Sequence, residues 1–288
     1  MYKDNGKFFG FSNDYVFGDV MENKDNILLV LNTILPTLHI KNIKYATTQK
    51  QINSVDFHSK DVRLDLQVED EKGKIYDVEM QTSKNGYLPQ RVRYYQSKID
   101  SKLTLDKNES YDKLRDSIII FICTFDPFGY GDLQYERQIY LKGHLKEEER
   151  IIDGSDVYFI NATANTNNAS SMMKDLIKLV NNKQVDKSSK YYSMQERVRE
   201  INADPERRAK IMSLEEKIRD REVTARLEGK VEGRIEGKAE GKIEDIYSLI
   251  KRLKKLNIDS ETIVSSVHED YDSELPLSII NQILDKEL

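Results

Sequence analysis

The sequence predicts a mixed α/β domain followed by an all-helical tail, and three stretches carry that prediction. Val62 to Gln81, VRLDLQVEDEKGKIYDVEMQ, alternates apolar and polar residues on either side of a turn-rich loop, the pattern of a β-hairpin. Leu88, Val92, Tyr95, Ile99 and Leu103 recur at helical spacing. Ile118 to Phe125 is continuously apolar and largely β-branched, which marks a strand covered on both faces. Helix, strands, helix and strand in that order give a mixed β-sheet flanked by helices.

The elements follow in chain order. Ser12 or Asn13 can cap a first helix, and Asp25 or Asn26 a second one carrying Ile27, Leu28, Val30, Leu31, Ile34 and Leu35, ended or bent by Pro36. The hairpin strands flank Glu69 to Lys74, the amphipathic helix follows, and then the buried strand. Runs at Ile139 to Leu141 and Val157 to Ile160 read as further strands. Composition divides the chain into an α/β domain over 1–182, a charged helical region over 183–245 and a small helical module over 246–288. In the last, Ile246, Leu249, Ile250, Leu253 and Leu256 form a stripe, Asp259 can cap a short helix, and Pro276 can open another.

The 288 residues are 38% hydrophobic, enough for a core, and 33% charged, so part of the length is solvated. A net charge of -5 argues against a protein that coats nucleic acid stoichiometrically, but not against an enzyme that touches phosphates locally. Cys123 is the single cysteine, so neither a disulfide framework nor a cysteine zinc site forms within the chain. Inside its apolar run the thiol reads as core filler. The four histidines, at 39, 58, 144 and 268, show no metal-binding spacing. No run reaches membrane-spanning length, and the expected setting is cytoplasmic, with no membrane partner.

The hairpin raises a chemical question, because Asp65, Asp77 and Glu79 lie inside strands, where acids are disfavoured. Burying Leu64, Leu66 and Val68 together with Tyr76, Val78 and Met80 requires even positions to oppose even positions. A turn centred on Lys72 does this, pairing Leu66 with Val78 and setting Asp65 across from Glu79. Opposed like charges destabilise a ladder. A divalent cation resolves the conflict, since Mg²⁺ takes one or two carboxylates plus water and phosphate oxygens. The other reading is a solvent-facing surface on which acids cluster. The following helix carries Gln90, Arg91, Arg93, Lys98 and Lys102 with Tyr94 and Tyr95. Alone it is a solvated face; beside a metal site it is a phosphate clamp, with Arg91, Arg93, Tyr95 and Lys98 as the contacts.

Asp65 followed by Glu79-Met80-Gln81 resembles the D…(D/E)xK core of the PD-(D/E)XK nucleases, with Gln in place of the usual Lys. More specifically, NDYVFGDVMENKDNILLVLNTIL, DVRLDLQVEDEKGKIYDVEMQ, LPQRVRYYQSKIDSKL, IIIFICTFDPFGYG and the tail with its EGK repeats resemble, in order, the Rpn family of recombination-promoting nucleases and transposases. The resemblance implies a restriction-endonuclease-like core and metal-assisted hydrolysis of DNA, with Mg²⁺ or Mn²⁺ as cofactor. Asp65, Glu79 and the backbone carbonyl of Met80 would be metal ligands. Gln81 would replace the lysine that positions the attacking water, supplying an amide without a charge. The acid contributed by the first helix would be Asp14, rather than Asp19 or Glu22. The alternative is a non-cleaving member that binds DNA or a partner protein on the same fold.

The tail reads LEGKVEGRIEGKAEGKIE from Leu227 to Glu244, a four-residue repeat of acid, glycine and cation. Each glycine costs a helix about 1 kcal/mol relative to alanine, and like charges meet at i+4, so an isolated helix is weak. Self-association, with glutamates of one copy facing cations of another, is the preferred expectation; a solvated spacer is the other.

Overall fold

The computed structural model describes residues 6–52, 62–84, 87–101, 108–141 and 149–288. His58, Lys102, Leu103 and His144 lie outside the described residues. Two compact units are present, one to Ile211 and one from Met212.

In the first unit, α1 (Asp14–Val20) begins where Asn13 accepts the backbone N–H groups of Tyr15 and Val16. Next, α2 (Lys24–Ile34) starts one turn ahead of the anticipated cap: Asn23 caps it, and Asn26 instead donates to the Val20 carbonyl at 2.8 Å. The strands and helices that follow are β1 (Ile43–Ile52), β2 (Val62–Asp70), β3 (Ile75–Gln81), α3 (Leu88–Ile99), β4 (Ser117–Cys123), β5 (Gln134–Arg137), β6 (Ile139–Leu141), β7 (Glu149–Ile151), β8 (Ser155–Asn161), α4 (Ser171–Val180) and α5 (Tyr192–Ala203).

Six strands form one mixed sheet in the order β1-β2-β3-β4-β8-β5, while β6 and β7 pair separately. The hairpin β2–β3 is antiparallel with Leu66 opposite Val78 and Glu69 opposite Ile75, the register centred on Lys72. From β3 the chain crosses through α3 to the parallel strand β4, which pairs in parallel with β8. Both central strands, β3 and β4, are buried along their whole length, as expected for strands covered on two faces. Leu88, Val92 and Ile99 of α3 pack with Ile75, Ile119, Phe121 and Phe159 on one face. Helix α1 packs against β2, and a Cβ added at Gly18 would stand 3.8 Å from Thr48 of β1.

Residues 183–211 belong to this first unit. Tyr191 Oη donates to the Thr33 hydroxyl at 2.7 Å, and Asn202 accepts from the Phe9 N–H and donates to the Phe9 carbonyl, both at 2.8 Å. Asp19 is clamped by Arg197 at 2.7 Å and Arg207 at 2.6 Å.

Helix α6 (Pro205–Lys255) is continuous through the glycine repeat, where an isolated peptide would fray. Both ends are anchored. Asp204 accepts the N–H groups of Glu206 and Arg207, and Ile246 and Ile250 are buried with residues of α7 (Ser260–Tyr271) and α8 (Leu277–Glu287). Asp259 caps α7 and Pro276 precedes α8, where the sequence places them. No helix among the described residues is long and apolar enough to cross a membrane.

Candidate active site

The pleat of β3 places Asp77, Glu79 and Gln81 on the sheet face that carries Ile75, beneath α3, and Asp65 of β2 meets Glu79 beyond the end of the ladder. The β2–β3 ladder runs only from Glu69–Ile75 to Leu66–Val78. At the next position side chains take over from backbone: Glu79 Oε1 accepts the Asp65 N–H at 2.9 Å, and Asp65 Oδ2 accepts the Met80 N–H at 3.0 Å. On the other side of β2 the β1 register likewise skips Asp65, and its counterpart Gln49 lies in the left-handed region at φ 53. Asp65 therefore stands at a break in both neighbouring ladders, held by bonds that its own carboxylate and that of Glu79 accept.

Burial dominates the electrostatics here. Glu79 is fully buried and its carboxyl is pushed up to about 8, first by loss of solvent and then by the Asp65 charge. Asp65 is pushed up to about 6, again mainly by burial, with the Met80 N–H opposing and the Asp14 charge adding to the rise. Asp77 is held well above the ordinary carboxylate range, by burial and then by the charges of Glu79 and Asp65. As a carboxylate, Asp77 has no hydrogen-bond donor on either oxygen among the described residues; protonated, it has Glu79 beside it as an acceptor. A neutral Asp77 is the form that fits its surroundings.

The cation that balances this charge is Arg91. Its guanidinium donates to Glu79 Oε2 at 2.8 Å and to Gln81 Oε1 at 2.6 Å. Its flat face lies 4.9 Å from the Tyr95 ring centroid and 5.7 Å from that of Phe121. Gln81 completes the arrangement by donating its amide to the Ser83 carbonyl at 2.7 Å. Thus Gln81 is engaged at both ends of its side chain, as the second acceptor for Arg91 rather than as a free amide. The two rings and the two acceptors together fix the guanidinium at the mouth of the acidic centre.

Of the residues singled out in the sequence, Asp65, Glu79, Met80, Gln81, Arg91 and Tyr95 converge. Asp14 lies at the rim, where its carboxylate is 3.9 Å from Arg63 and its charge is felt by Asp65. Lys98 leans over the Tyr94 ring at 5.3 Å, and Arg93 is exposed, about 200° around α3 from Arg91. Asp19, held by its two arginines, is part of the scaffold. Burial pushes the Cys123 thiol up to about 12, which removes it as a nucleophile. No group of three or more His, Cys, Asp or Glu side chains converges on a metal position among the described residues. The donor set is two carboxylates with the main chain, which fits a hard divalent ion that completes its shell with water and phosphate. Asp77 shares the parity of Glu79 in the sequence. What the sequence does not show is that it is sealed away from solvent.

Comparison with known proteins places these features together. The model of a family described as PD-(D/E)XK nuclease family transposase matches residues 9–227, a span that includes the whole sheet and every residue of the acidic centre. No curated protein and no solved structure matches the chain.

Proposed function

Given that the chain belongs to the PD-(D/E)XK nuclease family transposases, we propose that it is a Mg²⁺- or Mn²⁺-dependent endonuclease that hydrolyses DNA phosphodiester bonds in recombination or in the movement of mobile elements. The observation that carries the reading is the reciprocal bonding of Asp65 and Glu79 to each other's strand, which ends the ladder at a half-buried and a buried carboxyl group that repel each other. Asp65 and Glu79 would hold the ion, with the Met80 carbonyl as a third donor and Asp14 at the rim. Bound there, a divalent ion lowers the pKa of a water and offsets charge gathering on the phosphate.

The chain's own residues do the remaining work. The Met80 N–H fixes Asp65 Oδ2, so Oδ1 is the oxygen that would bind the ion. Arg91, seated over Tyr95 and Phe121, would give its donors to a phosphate oxygen where a cation took its place on Glu79. Gln81 limits how far Arg91 travels, and the one amide hydrogen not given to Ser83 would orient the attacking water. Arg93 and Lys98 meet phosphates farther along the strand. The glycine repeat of α6 joins copies of the chain, and the working environment is the cytoplasm.

Plasmid nicking tests the reading: cleavage that requires Mg²⁺ or Mn²⁺ and is lost in both Asp65→Asn and Glu79→Gln supports it. A wild-type chain that binds the metal yet never nicks supports the second reading, a non-cleaving binder. That reading is favoured by one feature, the absence of a charged group at Gln81.

A further inference from the structure

We propose that the loop over 124–132, TFDPFGYGD, is a stacking platform for unpaired nucleobases, so that the substrate is single-stranded or locally opened DNA. The choice of a nucleobase as occupant rests on the nuclease reading of the neighbouring centre. The loop leaves β4 at the edge of that centre, where the Thr124 N–H donates to the Gln81 carbonyl at 3.0 Å.

The loop is built to hold its aromatics still. Asp126 Oδ1 accepts the N–H groups of Phe128 at 3.1 Å and Gly129 at 2.8 Å and the Tyr135 hydroxyl at 2.9 Å, while Oδ2 accepts the Gly131 N–H at 2.8 Å. Gly129 and Gly131 take φ values of 83° and 82°, with no heavy atom within 4 Å of an added Cβ, so conformation and not space demands glycine there. On this frame Phe128 is 38% exposed and Tyr130 is 81% exposed. A frame fixed in advance spares a ligand the entropy of ordering it.

The platform also points at the centre. Glu79, Phe121, Phe159 and Tyr135 are cross-strand partners in one row over β3, β4, β8 and β5. Three strand spacings separate the ends of that row, about 14 Å. Phe121 and Phe159 stack at 5.6 Å, Phe128 meets Phe159 edge-on at 4.9 Å, and Tyr130 lies 6.5 Å from Tyr135. An aromatic path therefore leads from the Arg91 cradle to the exposed rings. The charge on the loop decides what those rings take. Asp126 spends its carboxylate on the loop itself and the exposed Asp132 disfavours a phosphate beside the rings, so what the loop offers a strand is a stacking face for an uncharged base.

The test is fluorescence anisotropy in EDTA with labelled oligothymidylate, its abasic counterpart and a duplex of equal length. Working without metal separates this proposal from cleavage: the nuclease reading stands or falls on nicking by Asp65→Asn, this one on binding. The wild-type chain is expected to hold oligothymidylate more tightly than the abasic strand or the duplex. Tyr130→Ala and Tyr130→Leu should weaken that binding about five- to hundredfold, and Tyr130→Phe should keep it. The salt slope should not change among the variants. Equal binding of the abasic strand, or wild-type binding by Tyr130→Leu, overturns the proposal. So does a change of oligomeric state in Tyr130→Leu with binding intact, which would make the loop a protein interface.

Discussion

Glu79 Oε1 accepts the backbone N–H of Asp65 at 2.9 Å, in the position where a β-ladder would supply a carbonyl. The carboxylate is at once a strand-pairing group and the nearest neighbour of a second acid. Glu79→Ala removes the acceptor for two donors and is expected to lower unfolding stability by about 1–3 kcal/mol in urea titration. Glu79→Gln, which keeps an acceptor oxygen, should lose less while abolishing nicking. Equal stability of the two variants would contradict this account.

Asp77 is a buried acid with no donor facing it, and its environment favours the neutral form. Asparagine has the same shape and brings an N–H₂ that can donate to Glu79. Asp77→Asn should therefore be stabilising, by about 1 kcal/mol near neutral pH and by more in alkali. Thermal melting at pH 7 and pH 9 checks both the sign and the trend.

The raised carboxyls fix the direction of pH dependence. Asp65 at about 6 and Glu79 at about 8 hold protons in the folded chain that their unfolded counterparts, at 3.8 and 4.5, have already released. Over that interval the native state binds more protons, so stability is greatest at the acid end and falls as pH rises toward about 8. Melting in EDTA at pH 5.5 and pH 8.5 should show this drop, and saturating Mg²⁺ should shrink it, since a bound cation replaces the protons. A melting temperature that climbs across the interval would refute it.

A divalent ion held by Glu79 would compete with Arg91 for the oxygen that now accepts the guanidinium. Arg91→Met deletes the resident cation and is expected to destabilise the metal-free chain by about 1–3 kcal/mol, a loss that Mg²⁺ partly restores. Arg91→Lys keeps charge but not the fork that spans Glu79 and Gln81, and should fall between. Urea unfolding with and without Mg²⁺ separates the three chains. Identical metal responses would place the ion elsewhere.

The glycines of α6 have open space around them: nothing lies within 4 Å of an added Cβ at Gly229, Gly233, Gly237 or Gly241. Replacing all four by alanine should raise helix stability, by up to about 1 kcal/mol per site. If copies of the chain meet along these glycines, the same change should dissociate them. Sedimentation velocity together with circular dichroism reads both effects, and an alanine variant that is more helical with its assembly unchanged excludes the glycines as the contact.

Much of the acidic centre was legible because side chains alternate along a strand. Hydrophobic residues at 66, 68, 76 and 78 fix a register about Lys72, and past the end of that ladder Asp65 and Glu79 meet through side-chain bonds. By contrast β1 is an edge strand, half exposed and mostly polar, with no alternation to betray it. Short β5 lacks the length for a pattern, and α4 follows a polar loop that hides its Ser170 cap. Arg91 was legible as a cation near the site but not as the partner of Glu79, because that contact depends on how α3 seats over β3. The clamp of Arg197 and Arg207 on Asp19 joins residues more than 170 positions apart, a distance at which spacing carries no information.

A four-residue period on an α-helix does not return to its starting azimuth. Each step of the α6 repeat turns about 400°, so the glycine line advances about 40° per repeat and sweeps about 120° between Gly229 and Gly241. The bare track is a spiral, with the acidic and basic tracks winding beside it in the same sense. A second helix that followed it would coil right-handed around the first.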